Sequence, residues 1–198
     1  MSKHKKIRRK NRGKKVLAIL FAIIVLVLAF TPYVIKFAEK NTHPLKYQNY
    51  ISKYSKEYNV PSDLLFATVK VESSFNPNAE SSAGALGLTQ ITPDTFEWLK
   101  TKTGEEYEFA DLKEPEISIK YCAVFYSVLL EKFGDTETAV AAYHAGMNQV
   151  SSWLENPEYS ADGITLKNIP SKATSHYVYK VTNAIHVYNN LYEKEIIK

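Results

Sequence analysis

Cysteine is almost absent from this chain of 198 residues, which contains only Cys122. A single cysteine excludes a disulfide within the chain and a metal site built from cysteines. Cys122 also stands too far from the apolar segment near the N-terminus to be the lipid-bearing cysteine of a lipoprotein. Because its neighbours are apolar residues at helical spacing, we predict that Cys122 is a small buried side chain. The domain that contains it must rely on its own apolar core.

Charged residues are missing from residues 16–35, a segment of mostly apolar side chains. Twenty residues of α-helix span about 30 Å, which is the thickness of the hydrocarbon core of a bilayer. The segment is therefore predicted to be a transmembrane helix. A cleavable signal peptide is the alternative, but the apolar run is long, and Ala29-Phe30-Thr31 makes a poor cleavage site. We favour the retained anchor.

Acidic residues are missing from residues 1–15, which hold nine lysines and arginines. The 16 basic residues that remain face 21 acidic ones, so the rest of the chain carries a formal charge of −5, although the whole chain carries +4. Beside a membrane span, a basic tail is typical of the cytoplasmic side. We therefore interpret the tail as a topology signal and not as a nucleic-acid-binding patch. Residues 36–46 are predicted to be a linker, and residues 47–198 one domain on the outer side of the membrane.

Sustained alternation of polar and apolar residues is scarce after residue 46, whereas helical periodicity and helix-ending residues are frequent. The pattern predicts a mainly α domain without repeats. Thr92 and Pro93, for example, form the cap and first-turn pair of a helix. The loops are expected at residues 102–113 and 156–170. The predicted helices cover residues 47–58, 62–72, 93–98, 115–133, 136–145, 149–154 and 174–194.

Glu72 stands at the end of an apolar helical stretch and shares a helix face with Leu65 and Val69. A glutamate in a helix is usually a solvated surface residue, but this spacing directs Glu72 toward the core, where an unpartnered carboxylate is uncommon. A carboxyl held against apolar neighbours resists ionisation and can donate a proton near neutral pH. Proton donation to a leaving group is the chemistry of glycosidic bond cleavage.

A glycine-bearing segment, residues 84–93, follows Glu72 after a polar loop. Gly84 and Gly87 would allow the backbone to approach a ligand closely, and Gln90 offers both a hydrogen-bond donor and an acceptor. In the alternative interpretation the glycines serve only turns, and Gln90 caps a backbone group. Taken alone, the segment does not decide between the two.

Four segments in this order resemble the motifs of the soluble lytic transglycosylase (SLT) family, and the resemblance covers about residues 48–190. It implies a lysozyme-like, goose-type α fold and cleavage of the glycan strand of peptidoglycan without a metal or cofactor. The segments are Glu72-Ser73-Ser74-Phe75, then Gly84-Ala85-Leu86-Gly87-Leu88-Thr89-Gln90-Ile91-Thr92-Pro93, then Ala141-Ala142-Tyr143-His144-Ala145-Gly146, and finally Ile169-Pro170 with Thr174 and Tyr177-Val178.

The resemblance implies that Glu72 is the single catalytic acid. The residues that it places in supporting or substrate-binding roles are Ser73, Gln90, Tyr143, His144 and Tyr177. A Ser73 that only caps a backbone carbonyl and a Tyr143 that only packs in the core remain alternatives. For Tyr177 we favour the functional role, because a buried hydroxyl needs a partner and Glu72 is the natural one.

Three residues depart from the family pattern: Thr89 replaces a usual methionine, His144 a usual asparagine, and Ala173 a common glutamate. The first two are expected to alter sugar contacts in the groove. His144 is also expected to add pH sensitivity near pH 6 or 7. A metal role for His144 is not expected, because no second histidine or carboxylate stands at ligand spacing nearby.

Ordinary glycosidases use two carboxylates, whereas the four segments supply one. In the family, the same glutamate first protonates the oxygen between N-acetylmuramic acid and N-acetylglucosamine. It then accepts a proton from the muramyl 6-hydroxyl, which leaves a 1,6-anhydro end. One alternative is a goose-type-like muramidase in which Asp94, Glu97 or Glu80 supports a water molecule. Another is a wall-binding module without catalysis. A tethered enzyme would act on wall near the membrane, as in remodelling, and could serve an envelope protein complex.

Overall fold

The computed structural model describes the backbone of residues 3–196 and the side chains of residues 15–192 and of Glu195. Side chains of the predicted basic tail before residue 15 lie outside the described residues. The described part of the chain is mostly helical, with two isolated β-bridges and no strand, so the predicted mainly α class is confirmed. The helices are α1 (Lys3–Thr42), α2 (Gln48–Tyr58), α3 (Ser62–Ser73), α4 (Pro93–Thr103), α5 (Pro115–Phe133), α6 (Thr136–Ala145), α7 (Met147–Leu154) and α8 (Lys172–Ile196), with a 3₁₀ helix at Phe109–Lys113.

The chain divides into two compact units, Met1–Thr42 and His43–Lys198. In the first unit, 28 residues of α1, Lys15–Thr42, form a helix that is long and apolar enough to cross a membrane. A signal sequence near the N-terminus would meet the same criterion. The helix continues through residues 36–42, which the sequence predicted to be linker. These residues include good helix formers, so the helix extends past the apolar run.

The second unit is built around α3 and α5. Helix α3 packs most extensively against α8, while α5 contacts α2 and α6, and α6 also packs on α8. The six consecutive residues 64–69 of α3 are all buried, which places this helix in the middle of the unit. Cys122 of α5 is buried, as predicted. The apolar core therefore holds α3 and α8 side by side.

Several helices begin and end where local signals in the sequence predicted. The Thr92 hydroxyl accepts a hydrogen bond from the Thr95 amide at 3.4 Å, and Pro93 opens α4. Helix α5 runs from Pro115, in the first turn, to Phe133, after which Gly134 adopts a left-handed conformation. Both signals act within one helical turn and need no tertiary context.

The loop between α3 and α4 has strained backbone at its start and near its end. Ser74, Phe75 and Gln90 have positive φ angles of 51°, 65° and 51°. Gly87 also has a positive φ, and a Cβ atom at this position would lie 2.0 Å from the carbonyl oxygen of Leu112. The backbone at Gly87 therefore lies close to the Leu112 carbonyl, and a close approach to a ligand, one of the two interpretations left open, stays a prediction. A Cβ atom added at Gly84 would have no atom within 4 Å.

We predict that Gly87→Ala destabilises the protein by about 3 kcal/mol, because the methyl group clashes with the Leu112 carbonyl and the left-handed backbone disfavours alanine. Gly84→Ala is the matched control, since its φ is nearly the same but its surroundings are open. It should cost only about 1 kcal/mol. Urea unfolding of the full chain in detergent micelles, followed by the fluorescence of Trp98 and Trp153, measures both. Equal losses of stability in the two variants would show that the Leu112 carbonyl moves away from the methyl group at no energetic cost.

Candidate active site

Glu72 lies in the last turn of α3, directly before the strained loop. Leu65 and Val69, which share its helix face, are fully buried, and Glu72 itself is partly buried at the edge of the core. The helix ends one residue later, with Ser74 in the left-handed conformation that closes it. The carboxyl group is therefore presented where the core meets the surface.

Tyr177 of α8 donates its hydroxyl to Oε1 of Glu72 at 2.6 Å. The tyrosine is buried and stands 105 positions along the chain from the glutamate. The packing of α3 against α8 brings the two together. A hydroxyl that donates to a carboxylate forms a short, charge-assisted hydrogen bond, which restrains the orientation of the carboxyl group.

Burial raises the pKa of Glu72 from 4.5 to about 7. The hydrogen bond from Tyr177 opposes this rise by stabilising the carboxylate, and the positive charge of Lys180 opposes it further. Burial has the largest effect. Near neutral pH the group can therefore hold a proton or release it, which is the condition for acid and base chemistry by one side chain.

Ser73 and Gln90 hold the loop between α3 and α4. Ser73 donates its hydroxyl to the carbonyl of Leu88 at 2.8 Å. Gln90 donates its amide nitrogen to the carbonyls of Ala79 and Gly87, both at 3.1 Å. The amide oxygen of Gln90 has no hydrogen-bond partner among the described residues. Both side chains bind backbone groups, as the alternative interpretation expected, and their contacts with substrate stay predictions.

Tyr143 of α6 joins the same loop to the core. Its hydroxyl donates to the carbonyl of Thr89 at 2.8 Å, and its ring stacks on Tyr126 of α5 at 4.7 Å between centroids. The side chain thus packs in the core and also restrains the loop. Burial raises its pKa well above the usual value, so the hydroxyl stays protonated and acts as a donor.

His144 directly follows Tyr143 in the last turn of α6 and has an exposed side chain. Its Nδ1 is 3.2 Å from the hydroxyl of Thr174, and its ring centroid is 4.6 Å from that of Tyr177. Partial burial lowers the pKa of His144, and the charge of Lys180 lowers it further. The imidazole is therefore neutral at neutral pH, and the titration predicted near pH 6 or 7 moves toward lower pH.

The other two departures from the family pattern, Thr89 and Ala173, lie in different surroundings. The Thr89 side chain is fully buried, and its hydroxyl lies 3.0 Å from the hydroxyl of Ser118 in α5. The Thr89 side chain therefore anchors the loop to α5, and its expected effect on sugar contacts stays a prediction. Ala173 is exposed near the start of α8.

Sequence reasoning missed two residues near Glu72. Tyr126 of α5 bonds the buried Thr68 hydroxyl at 2.9 Å and supports the ring of Tyr143. Lys180 follows Tyr177 by three positions, so it lies on the same face of α8 and acts on the pKa of Glu72. The helical spacing from Tyr177 could have identified Lys180. Only the packing of α5 identifies Tyr126.

The carboxylates named as possible supports for a water molecule are exposed. Glu80 lies 3.9 Å from Lys113, and Glu97 lies 3.7 Å from Lys100. Burial, Tyr177 and Lys180 account for the shifted pKa of Glu72, with no carboxylate among the causes. No group of three or more possible metal ligands occurs in the part of the chain that the structure describes.

A cavity of about 460 Å³ lies between α2 and the start of α5. Its lining includes Tyr50, Tyr54, Tyr107 and Lys120, but none of the predicted site residues. The chemistry of Glu72 and its neighbours therefore identifies the candidate site better than cavity volume does.

The sequence matches a protein family described as "Transglycosylase SLT domain" over residues 49–164, which is more than half of the chain. It is 31% identical over 146 residues to the soluble lytic murein transglycosylase of Salmonella typhimurium, covering 70% of this chain and 22% of that protein. It is 27% identical over 169 residues to the membrane-bound lytic murein transglycosylase C of Haemophilus ducreyi, covering 74% of this chain and 46% of that protein.

The structure is similar to the crystal structure of the 70 kDa soluble lytic transglycosylase of Escherichia coli. The TM-score is 0.69 at 25% sequence identity, and the match covers 77% of this chain and 25% of the other. The chain thus spans between a fifth and a half of the length of these relatives. The likeness supports the lysozyme-like fold that the sequence predicted.

We predict that Glu72→Gln, compared with the wild type at the same pH, is more stabilising at pH 8 than at pH 4. Because the pKa is about 7 in the folded chain and 4.5 in the unfolded one, only the folded chain keeps the proton between these values. The wild type therefore loses stability as pH rises from 4.5 to 7, by about 3 kcal/mol, whereas glutamine has no proton to lose. Urea unfolding at both pH values measures the difference. The same stability difference at pH 4 and pH 8 would contradict a buried, proton-holding Glu72.

Proposed function

This chain belongs to the Transglycosylase SLT domain family, and we propose that it is a lytic transglycosylase that cleaves the glycan strands of peptidoglycan. The names of its relatives, which include soluble and membrane-bound lytic murein transglycosylases, support the activity. The observation that carries the proposal for this chain is the pKa of about 7 of a partly buried Glu72 that Tyr177 holds by a hydrogen bond.

In the proposed first step, protonated Glu72 donates its proton to the glycosidic oxygen between N-acetylmuramic acid and N-acetylglucosamine. The bond from this oxygen to C1 of the muramyl residue then breaks, and N-acetylglucosamine leaves with the proton. Glu72 becomes a carboxylate, which the hydroxyl of Tyr177 stabilises. The 2-acetamido group stabilises the cationic C1, so no nucleophile from the protein is needed.

In the proposed second step, the Glu72 carboxylate accepts the proton of the muramyl 6-hydroxyl. The oxygen of that hydroxyl closes onto C1 and leaves a 1,6-anhydro end, while Glu72 returns to its protonated form. A pKa near 7 suits both steps, because the group gives up and regains a proton at similar cost. No water is consumed.

The surroundings of Glu72 support this one-carboxylate route over hydrolysis. Most hydrolytic glycosidases pair the acid with a second carboxylate roughly 5–9.5 Å away. The causes of the shifted pKa of Glu72 include no carboxylate. Glu80 and Glu97 lie near lysines, and Asp94 is exposed.

We assign supporting roles to the residues that hold the groove beside Glu72. Ser73 and Tyr143 bind backbone carbonyls of the loop between α3 and α4, and so keep one wall of the groove in place. Gln90 has an amide oxygen that can accept a hydrogen bond from a sugar hydroxyl. The exposed ring of His144 contacts the ring of Tyr177.

We further propose that α1 anchors the enzyme in a cell membrane, with the basic tail of residues 1–15 in the cytoplasm and residues 47–198 facing the wall. The length and composition of Lys15–Thr42 support a membrane span. The positive charges before it support the orientation. The substrate would then be peptidoglycan near the membrane, and an envelope protein complex is a possible further partner.

We predict that Glu72→Gln lowers cleavage of purified peptidoglycan by at least about a hundredfold, because glutamine cannot donate a proton. The full chain in detergent micelles is incubated with glycan strands, and the products are identified by mass spectrometry. The wild type should release muramyl ends that are lighter by one water than hydrolysis products. Glu97→Gln, a change of the same type at an exposed position, should keep full activity.

Three results would contradict the proposal in different ways. Undiminished cleavage by Glu72→Gln would remove Glu72 from the mechanism. Products heavier by one water than the anhydro form would identify a muramidase. Glycan binding without any product would identify a wall-binding module.

We predict that the full chain stays in bacterial membranes after carbonate extraction, whereas a chain without residues 1–42 is found in the soluble fraction. Protease added to intact spheroplasts should degrade the unit His43–Lys198, because it faces outward. A cytoplasmic marker protein is the control for intact cells. Recovery of a soluble chain cut near residue 31 would identify a signal peptide instead of an anchor.

A further inference from the structure

Tyr177 is contacted from two sides by side chains that can carry protons. Its hydroxyl reaches Glu72 of α3 at 2.6 Å, and its ring lies 4.6 Å from the imidazole of His144, at an angle of 32°. Tyr177 is buried whereas His144 is exposed, so the imidazole forms the outer cover of this part of the phenol ring. Nothing else in the proposed reaction uses His144.

Hydrogen bonds fix the position of the imidazole. The hydroxyl of Thr174 donates to Ser171 at 3.1 Å and lies 3.2 Å from Nδ1 of His144. With its own proton directed to Ser171, the Thr174 oxygen accepts the proton of Nδ1. Ser171 also accepts the amide of Thr174 at 3.3 Å, which ties the group to the first turn of α8. The imidazole is thus attached to the helix that carries Tyr177.

The imidazole is neutral at neutral pH, because burial and the charge of Lys180 both lower its pKa. Titratable groups surround Glu72 from three helices, and those of α8 shift its pKa. Tyr177 and Lys180 lie on α8, while α5 and α6 contribute Tyr126 and Tyr143, whose own pKa values respond to Glu72. The positive charge of Lys180 lowers the pKa of Glu72 and also that of His144.

We propose that His144 is a positioning residue whose neutral imidazole covers the face of Tyr177 and thereby keeps the Glu72 carboxyl oriented and shielded from water. This role rests on the proposed function, in which protonated Glu72 is the acid. Without the cover, water reaches Tyr177 and the carboxyl beside it. Glu72 then ionises more easily, and fewer molecules hold the proton that cleavage needs.

The test compares His144→Ala with His144→Phe in the full chain. Alanine removes the cover, and phenylalanine keeps a ring over Tyr177 without the bond to Thr174. In His144→Ala we expect kcat for peptidoglycan cleavage to fall about tenfold with KM nearly unchanged. The alkaline limb of the pH profile, where Glu72 loses its proton, should move to lower pH. His144→Phe should keep the limb of the wild type.

His186→Ala is the matched control. His186 is also an exposed histidine, but it lies in α8 beyond Tyr177 and Lys180. It should leave kcat, KM and the pH profile unchanged. A second readout needs no activity: the pKa of Glu72 is measured by NMR titration of the chain labelled with ¹³C at glutamate carboxyls, with Glu72→Gln assigning the signal. This pKa should stay at about 7 in His144→Phe and fall below that value in His144→Ala.

Three results would overturn the positioning role. A raised KM with an unmoved alkaline limb would make His144 a substrate contact. A lowered melting temperature with an unmoved limb would make it a purely structural residue. An unchanged pKa of Glu72 in His144→Ala would show that the imidazole shields nothing. The proposed function fails separately, if the wild type does not cleave peptidoglycan or if Glu72→Gln does. In that case the NMR titration of Glu72 still decides whether His144 shields the carboxyl group.

Discussion

The hydrogen bond from Tyr177 to Glu72 is the contact on which the candidate site depends. It joins two helices through residues that lie 105 positions apart in sequence, and it can form only because the core packs α3 against α8. Burial pushes the carboxyl toward its protonated form, while the tyrosine hydroxyl and Lys180 pull it toward the carboxylate. The balance of these opposed effects gives a pKa of about 7, which neither full burial nor full exposure would produce.

The loop beside Glu72 is held in place from several directions at once. Ser73 holds it from α3, Tyr143 from α6 and Ser118 from α5, and each forms a hydrogen bond with the loop. Backbone strain at Phe75 and Gln90 is tolerated because these contacts over-determine the conformation. A loop held in this way has little freedom to rearrange when a ligand binds, which favours a site that is formed before the substrate arrives.

The parts of the fold that local chemistry controls could be predicted from the sequence. The ends of α5 follow from Pro115 and Gly134, and the burial of α3 follows from its apolar face. The contacts that could not be predicted join distant segments. Gly87 fits against the Leu112 carbonyl, and the Thr89 hydroxyl reaches Ser118. Residue type indicates that a glycine or a hydroxyl needs a neighbour, but only the packed chain determines which neighbour it receives.

The burial of Cys122 has a consequence for oxidation chemistry. Its thiol is enclosed in the core, and burial raises its pKa above the ordinary value, so almost none of the reactive thiolate forms. Thiol-reactive oxidants and small disulfides therefore find no reactive cysteine on the folded chain, and two copies do not become linked through this residue. A cysteine introduced at any exposed position would be the single reactive thiol of the protein. Probes or cross-linkers could be attached there without first removing the native cysteine.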